Sequence, residues 1–343
     1  MPTAYITDSR FERHNLEGHP EHAGRLRAIQ RRMGEAGLLE RLTHLEASPA
    51  TDEDLRAVHS PAYLDRLATT AKQRDGVMFG PDTYVQPESY AIARLAAGAV
   101  LRAVDAVMQG AADNAQAAVR PPGHHATTSQ GMGFCLLNNV AIAARYVQRV
   151  YGVERALIVD YDVHHGNGTE EIFYRDPSVF YLSTHQSPLY PGTGSVYEIG
   201  EGAGEGYNLN VPLPPGTGDD GFAQVADAII GPVVERFRPQ IMFVSAGFDA
   251  HWSDPLAQLR LTLSGYDRLT RALIEMAAQW CEGRLVFVLE GGYNLPALSL
   301  GWSNVTYALL GEPICHDPLG TIGGSEPSVA RIVEAVKQVH KLI

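Results

Sequence analysis

The stretch ALIVDYDVHHGNGTE, residues 156–170, contains the transition on which the fold prediction rests. Its apolar first half is typical of a parallel strand buried on both faces, and strongly polar, glycine-containing sequence follows at once. Alternate residues of an extended segment share a face, so Asp160, Asp162 and His164 would point the same way. The sequence therefore predicts a cluster of carboxylates and an imidazole at the end of a buried strand.

Other apolar runs along the chain have the same character, and nearly all of them lead into polar, Gly-rich sequence. Because they alternate with segments of helical spacing, they predict one α/β domain built around a mainly parallel sheet. Ligands bind beyond the carboxyl ends of the strands in such sheets, so the polar segments are expected to meet there. Strands are predicted at 116–119, 156–159, 179–183, 241–246 and 285–290, and helices at 22–40, 88–109, 136–150, 221–237, 264–281 and 328–342.

The composition limits the classes of function. The chain has 343 residues, of which 45% are hydrophobic and 19% charged, with a formal net charge of -12. Phosphate binding needs clustered Lys and Arg, so no direct nucleic-acid binding is expected, whereas a positively charged substrate is electrostatically favoured. Three scattered cysteines without a C-x-x-C pair indicate free thiols in a reducing compartment. Neither a signal-peptide pattern nor a long apolar run is visible, so a cytoplasmic protein without membrane insertion is expected.

The D-x-D-x-H sequence favours a metal site over a simple helix cap, because burying so much charge without a cation is costly. Carboxylate and imidazole ligands suit a divalent metal such as zinc. A third ligand is expected from SAGFDAHWSDP, in which Asp249, His251 and Asp254 are alternatives by spacing alone. Three protein ligands with one open position are typical of a catalytic metal site.

Two further motifs follow strand candidates and supply groups for proton transfer and oxyanion binding. RPPGHHA contains the adjacent His124 and His125, which could bind a metal or act as an acid/base pair. LEGGYN places Tyr293 behind two glycines, where its hydroxyl could reach a developing oxyanion. A histidine pair or a tyrosine alone is more often structural. Together with a metal site they indicate metal-assisted hydrolysis of an amide or ester.

These motifs together resemble the zinc-dependent histone deacetylase family, from GHPEHAGRLRAI near residue 18 to LEGGYNL near residue 295. RPPGHHA, DYDVHHGNGT, YPGTG, AGFDAHWSDP and LEGGYN occur in the family's order, and HPE, DTYVQPESY and LEGGYN are most similar to its class II branch and bacterial relatives. The resemblance implies the arginase/deacetylase fold, in which helices flank a central, mostly parallel eight-stranded sheet. It also implies a single catalytic domain over residues 1–343.

Carried over position by position, the resemblance assigns Asp162, His164 and Asp249 as ligands of one zinc ion. His124 and His125 would line the reacting water. His125 would be the general base, and His124 an electrostatic stabiliser or the proton donor to the leaving amine.

The remaining catalytic assignments concern groups that orient these histidines or bind the carbonyl oxygen. Tyr293 would donate a hydrogen bond to the substrate carbonyl and then to the oxyanion. Asp160 would orient His124. Asn167 would hold His125 where the class I branch has Asp, and its lack of charge favours a neutral, base-competent His125.

The resemblance further implies residues for substrate and for one or two potassium ions. Leu256 stands at the gatekeeper position, where polyamine-selective relatives carry Glu, which argues against that route to polyamine selectivity. The implied substrate-binding residues are Phe134 and Tyr190 as tunnel walls, Gly133 through its carbonyl, Leu256, and Asp82 at the rim. The implied potassium sites are an inner one at Asp160, Asp162, His164, Ser183 and Thr184 and a second one at Phe173, Asp176, Val179 and Tyr207.

The leading hypothesis is a zinc amidohydrolase that removes acyl groups from lysine side chains or from small amines, including acetylpolyamines. One alternative is a binuclear manganese ureohydrolase of the same fold, which needs more carboxylates than GFDAH offers. Another is a non-catalytic acyl-lysine binding module, which would not need the histidine pair and Tyr293 together. His165, beside a predicted ligand, is expected only to pack or to hydrogen-bond to neighbours of the site, and a homo-oligomer is left open.

Overall fold

Parallel pairing runs through the whole main sheet of the computed structural model, which describes residues 2–342. The sheet has eight strands in this part of the chain, in the order β2-β1-β5-β10-β9-β6-β7-β8. An antiparallel pair, β3 with β4, forms a separate small sheet. The strands are β1 (Thr3–Ile6), β2 (Thr43–Leu45), β3 (Val77–Phe79), β4 (Thr83–Val85), β5 (Asn114–Ala117), β6 (Ala156–Asp160), β7 (Val179–Gln186), β8 (Asn208–Leu213), β9 (Ile241–Ala246) and β10 (Leu285–Leu289).

Four of the five predicted strands are confirmed, and the fifth was placed two residues too late. The run 116–119 was predicted, but β5 spans Asn114–Ala117 and pairs with both β1 and β10 over those residues. Asn114 and Gln116 are buried beside the segment 302–309, where the Asn114 amide donates to the Leu309 carbonyl at 3.4 Å. The Thr306 hydroxyl donates to Gln116 Oε1 at 2.7 Å. A prediction based on apolar runs does not register a strand whose polar side chains are bonded in this way.

The predicted helices are all present, with altered ends. The segment 221–237 is interrupted by a π-helical turn, Ala226–Ile230, directly before Gly231 and Pro232. Pro232 has no N–H, so the regular helical hydrogen bonds cannot continue through it. The helices are α1 (Gly24–Glu35), α2 (Asp52–Arg56), α3 (Pro61–Thr70), α4 (Ser89–Met108), α5 (Asn139–Tyr151), α6 (Asn167–Phe173), α7 (Asp219–Val225), α8 (Gly231–Phe237), α9 (Leu263–Trp280), α10 (Leu295–Leu309) and α11 (Ala330–His340).

Helices cover the sheet in two groups. Helix α4 packs on α5 and contacts β1, β5 and β10, while α10 packs between α1 and α9. The central strands β6, β9 and β10 are buried at every residue, as expected for strands covered on both faces. The predicted α/β fold with a central eight-stranded sheet flanked by helices is therefore confirmed, and within residues 2–342 all pairs of that sheet are parallel.

Four neighbouring strands, β5, β10, β9 and β6, end at the same edge of the sheet. The segments that follow them are RPPGHH, EGGYN, GFDAH and YDVHHGN. Strand order in space, and not order in the chain, thus brings the four polar segments to one place. This is the edge at which open parallel sheets bind ligands.

Candidate active site

Three side chains from two loops form a compact ligand cluster. Asp162, His164 and Asp249 each offer one atom, and these atoms all lie within 4.8 Å of one another. His164 Nδ1 is 3.2 Å from Asp162 Oδ1 and 3.3 Å from Asp249 Oδ2. Among residues 2–342, no donor approaches Asp249 Oδ2 with the geometry of a hydrogen bond, although this oxygen is buried. Two carboxylates and an imidazole that converge in this way fit a divalent metal ion.

The electrostatics of this cluster reflect an excess of buried negative charge. Burial opposes the charged form of Asp162, yet His124 and His164 lower the pKa of its carboxyl below the usual range. For Asp249, burial and the neighbouring Asp162 raise the pKa. Burial would lower the pKa of His164, but the adjacent carboxylates of Asp162 and Asp249 outweigh this effect and raise it to about 10. A cation between the three side chains would relieve the charge that these shifts reveal.

His124 lies between charged partners. Its Nδ1 is 3.0 Å from Asp160 Oδ2, and its Nε2 is 3.8 Å from Asp162 Oδ1. The Tyr181 hydroxyl donates to the same Asp160 oxygen at 3.0 Å. Burial alone would lower the pKa of His124, but Asp160 and Asp162 reverse the effect and raise it to about 10. The ring therefore favours the protonated state before a metal ion is considered.

His125 has the opposite environment. Its Nδ1 is 2.8 Å from Oδ1 of Asn167, the first residue of α6, and its ring centre is 4.0 Å from that of His124. Burial lowers the pKa of His125 well below 6.5, and the nearby His124 and His164 lower it further. Two adjacent histidines thus differ in protonation, one favouring the charged form and the other the neutral form.

Tyr293 is held beside the cluster by its backbone and its ring. Its N–H donates to Asp254 Oδ2 at 2.7 Å. The ring meets Phe134 edge-on at 5.8 Å, and the Arg25 guanidinium lies 5.1 Å from the ring centre. Burial raises the pKa of the Tyr293 hydroxyl well above 10, so the group remains a hydrogen-bond donor at neutral pH.

Phe134 has a backbone conformation that a bulky residue rarely adopts, with φ of 69°. Its N–H donates to the Thr83 hydroxyl at 2.9 Å, and that hydroxyl donates to Asp82 at 2.9 Å. A Cβ at Gly133 would lie 2.3 Å from the His125 ring, so only glycine allows this approach. The predicted rim residue Asp82 is therefore linked to the predicted tunnel wall through Thr83.

The other predicted wall, Tyr190, is partly exposed and reaches the histidines from the opposite loop. Its ring centre is 5.2 Å from that of His125 and 6.3 Å from that of His164. Leu256 is partly exposed in the loop after β9. A cavity of about 500 Å³ opens beside Tyr293, between Pro255 and the segment 15–27. Gly133 and Tyr190 thus lie against the His125 ring, and Tyr293 lines the cavity.

The family model for the histone deacetylase domain matches residues 19–309, which is most of the chain. The chain belongs to the histone deacetylase family. A probable deacetylase of Archaeoglobus fulgidus is 45% identical over 308 residues, which are 88% of this chain and 85% of that protein. A histone deacetylase-like amidohydrolase of Pseudomonas aeruginosa is 44% identical over 278 residues, 81% of this chain and 73% of that protein.

A solved structure supports the same assignment. The crystal structure of the HDA15 HD domain superposes with a TM-score of 0.91 at 37% identity, covering 99% of this chain and 94% of that one. As a member of the histone deacetylase family, the protein is a deacetylase-type amidohydrolase that acts on acyl amides. Across residues 2–342, none of the helices combines the length and the apolar character that a membrane crossing requires.

The structure separates the three candidates that spacing left open for the third ligand of this deacetylase. Asp249 joins Asp162 and His164, but His251 and Asp254 do not. His251 Nδ1 contacts the Ser253 hydroxyl at 2.8 Å, and Asp254 accepts backbone N–H groups. His251 and Asp254 are consequently excluded from the ligand cluster by position.

His165 points away from the ligand cluster, as expected for a residue without a catalytic role. Its Nε2 is 3.1 Å from Glu170 Oε2, and its Nδ1 is 2.7 Å from the hydroxyl of Thr193, in the YPGTG loop. The same Glu170 oxygen accepts from the amides of Asn208 and Asn210. His165 therefore fixes the loop that carries Tyr190.

The residues predicted for potassium occupy two regions near β6 and β7. Asp160 pairs with Ser183 across these strands, and the Thr184 hydroxyl is 3.5 Å from the Asp160 carbonyl. At the second predicted region, the Asp176 carboxylate already contacts the Arg145 guanidinium. A cation in that region would consequently depend on main-chain carbonyls. The predicted members of the second region are Phe173, Asp176, Val179 and Tyr207.

Sequence reasoning missed several residues that shape the site. Glu290 Oε2 accepts the N–H groups of Gly123 and His124 at 2.7 and 3.2 Å, and burial raises its pKa to about 7. Its position after an apolar strand resembles that of Asp160, so the same reasoning could have found it. The buried ion pairs of Glu21 with Arg25 and Arg120 were also missed, because Glu21 and Arg120 are 99 residues apart and neither Glu21 nor Arg25 directly follows a strand.

Proposed function

We propose that the protein hydrolyses the acyl-amide bond of acyl-lysine side chains or of small acylated amines, with one zinc ion held by Asp162, His164 and Asp249. The observation that carries the proposal is the convergence of three ligand atoms within 4.8 Å of one another, next to two histidines of opposite protonation preference. A bound zinc ion would supply Lewis acidity toward water and the acyl carbonyl, which is the standard role of this ion in hydrolases.

The side chains divide the remaining chemistry. His125, neutral and oriented by Asn167, accepts the proton of the attacking water. His124, oriented by Asp160, is protonated and donates to the leaving amine. Tyr293 keeps its proton and donates a hydrogen bond to the carbonyl oxygen as negative charge develops there.

Several features support an amine substrate of extended shape. Phe134 and Tyr190 bring aromatic rings to Tyr293 and His125, and Gly133 lies at the His125 ring, where its carbonyl would meet a substrate amide. The net charge of -12 favours an amine that carries positive charge elsewhere. Acetylpolyamines remain the alternative class. Leu256 is apolar, so it cannot pair with the distant ammonium group of a polyamine as a glutamate at this position could.

The proposed cofactors include one or two potassium ions, an inner one near Asp160 and a second one near Asp176. A monovalent cation at the carbonyls of Asp160 and Thr184 would further offset the buried carboxylates. Potassium titration of thermal stability, with sodium and choline as comparison cations, tests the ion proposal.

The proposed location of this protein is cytoplasmic. Histone deacetylase 10 of Oryza sativa, 40% identical, is described as chloroplastic.

The substitution Tyr293→Phe tests the proposed reaction. Because it removes only the hydroxyl, kcat should fall by about 10²–10³-fold, as when one oxyanion donor is lost. Zinc content, measured by elemental analysis, should remain unchanged. The matched control is Tyr197→Phe, at a tyrosine that is 75% exposed, and it should retain full turnover. Full turnover of Tyr293→Phe would contradict the proposed role.

A kinetic panel decides between the substrate classes. Acetyl-lysine peptides, acetylpolyamines and longer acyl-lysines are compared on one zinc-loaded preparation. A kcat/KM highest for acetylpolyamines would favour the small-molecule alternative. Two transition metals per chain would favour a binuclear ureohydrolase, and peptide binding without hydrolysis would favour a binding module.

A further inference from the structure

One buried carboxylate, that of Asp254, connects two loops of the site. Its Oδ2 accepts the N–H groups of Tyr293 at 2.7 Å and Asn294 at 3.1 Å, in the loop after β10. Its Oδ1 accepts the N–H of Leu256 at 3.0 Å, in the loop after β9. A single side chain thus bonds the backbone of both the predicted oxyanion tyrosine and the predicted gatekeeper.

The environment of Asp254 indicates that it serves as an acceptor for N–H groups and not as half of an ion pair. The residue is 6% exposed, and within residues 2–342 no Lys, Arg or His forms a salt bridge with it. Burial raises its pKa to about 7, so the charged form is held at a cost. Buried carboxyl groups in such surroundings are usually retained for the hydrogen bonds they make.

A second contact strengthens the connection between the loops. The Asn294 amide donates to the Ser253 carbonyl at 3.1 Å, while its side-chain oxygen accepts the Ala297 N–H and begins α10. The Tyr293 backbone is therefore held between Asp254 on one side and a helix start on the other. Displacement of Asp254 would move Tyr293 relative to the ligand cluster.

We propose that Asp254 is a positioning residue, which places the hydroxyl of Tyr293 for catalysis and fixes Leu256 at the mouth of the site. The inference rests on the proposed function, because it acts through the oxyanion role of Tyr293. Asp254 touches neither substrate nor metal in this scheme. Its effect on rate passes entirely through the two backbone segments it bonds.

Two substitutions separate the two halves of this role. Asp254→Ala removes both acceptor oxygens and releases Tyr293 and Leu256 together. Asp254→Asn keeps one oxygen, which can serve the paired donors Tyr293 and Asn294, while its NH₂ group cannot accept from Leu256. The asparagine variant should therefore retain the placement of Tyr293 and lose that of Leu256.

The experiment is a double-mutant cycle in zinc-loaded full-length protein. Asp254→Ala should lower kcat by about 10–10²-fold, since a misplacement of about 1 Å can cost that much. In the Tyr293→Phe background the same substitution should have little further effect on kcat, because the group it positions is already absent. Asp254→Asn should restore most of kcat but change the ratio of kcat/KM between an acetyl-lysine peptide and an acetylpolyamine.

A matched control comes from Glu326, which also accepts three backbone N–H groups, those of Gly218, Asp220 and Gly221, in a segment without predicted site residues. Glu326→Gln should leave kcat and the substrate ratio unchanged. An equal loss from Asp254→Ala in both backgrounds would overturn the inference while the proposed function stands. If Asp254→Ala does not fold, an unchanged substrate ratio or a deep loss of kcat in Asp254→Asn would overturn it. Full turnover of Tyr293→Phe would contradict the proposed function and the inference together.

Discussion

Two groups of buried carboxylates lie within the same fold, and they are neutralised in different ways. Glu21 is fully buried, and its oxygens contact the guanidinium groups of Arg25 and Arg120, both fully buried as well. Asp162 and Asp249 are buried just as deeply, but among residues 2–342 no arginine or lysine forms a salt bridge with either of them. Within that part of the chain, their ionisable partners of opposite charge are His124 and His164.

The pKa values follow this difference. Burial would raise the pKa of Glu21, but Arg120 and its other partners lower it to about 2. At the strand ends, the pKa of Asp162 is lowered while that of Asp249 is raised, so the histidines stabilise one carboxylate and leave the other short of positive charge. A carboxylate with arginine partners is a fixed part of the structure. The carboxylates of Asp162 and Asp249 have no arginine partners among residues 2–342, so they need a cation from solution. This need for a cation is expected of a metal site.

The largest expected effect comes from removing a charge at the ligand cluster of Asp162, His164 and Asp249. Asp249→Asn replaces the carboxylate of a proposed zinc ligand with a neutral amide and should reduce both zinc content and kcat. Loss of several kcal/mol of metal-derived stabilisation corresponds to about 10³-fold in rate. Elemental analysis and steady-state kinetics on the same preparation check the prediction.

The comparison for this variant is Asp317→Asn, which alters a carboxylate that accepts the backbone N–H groups of Ser264 and Gly320. It should keep full zinc content and turnover. Normal zinc content in Asp249→Asn would mean that the residue is not a ligand.

The second expected effect is a loss of stability when the buried ion pair of Glu21 with Arg120 is broken. Arg120→Met leaves Glu21 buried with one of its two arginines, and breaking a buried pair in this way costs about 3–5 kcal/mol in the free energy of unfolding. Chemical denaturation measures the loss. Added zinc should not restore it, whereas zinc should restore the stability that a chelator removes from the wild type.

The exposed pair of Arg175 with Glu201 provides the control, since Arg175→Met should cost less than about 1 kcal/mol.

The stabilising effect of Glu21 also has a defined pH range. Its pKa falls from 4.5 to about 2 on folding, so its contribution is complete above pH 4.5 and is lost as the pH falls toward 2. Arg120→Met should weaken this dependence, and equal acid sensitivity in both proteins would contradict the assignment.

The two clusters also differ in how far sequence could predict them. Asp162 and His164 were identifiable because the apolar run before them marked a strand, although β6 ends at Asp160 and both residues lie in the bend that follows. The pairing of Glu21 with Arg120 spans 99 residues and depends on how the first loop packs over the sheet, which no local pattern records. Asp249 lies between these cases, because spacing allowed three candidates after the same strand and only the positions of their side chains distinguish them.

Backbone geometry was the least predictable part of the site. Phe134 follows Gly133 with φ of 69°, and a phenylalanine in that conformation contradicts local propensity. The surrounding contacts impose it, through the hydrogen bond to Thr83 and the close approach of Gly133 to His125. Such departures from local preference concentrate at functional sites, so sequence rules fail there for a physical reason.

The smallest expected effect concerns the two histidines. His124 has the charged partner Asp160, and His125 has the neutral partner Asn167. Asn167→Asp would place a carboxylate on His125 Nδ1, where the Asn oxygen lies at 2.8 Å. The imidazolium would be stabilised and the pKa of His125 raised. Because the base must be neutral, the acidic limb of the kcat/KM profile should move to higher pH, with little change at the optimum.

The reciprocal substitution moves the other limb. Asp160→Asn removes the nearest carboxylate from His124, whose pKa Asp160 and Asp162 raise to about 10 against the effect of burial. His124 should then lose its proton at lower pH, so the alkaline limb moves down while the acidic limb stays in place. If Asn167→Asp moved the alkaline limb, or Asp160→Asn the acidic one, the roles of the two histidines would have to be exchanged. The pH profiles therefore distinguish the base from the acid without relying on the size of either rate change.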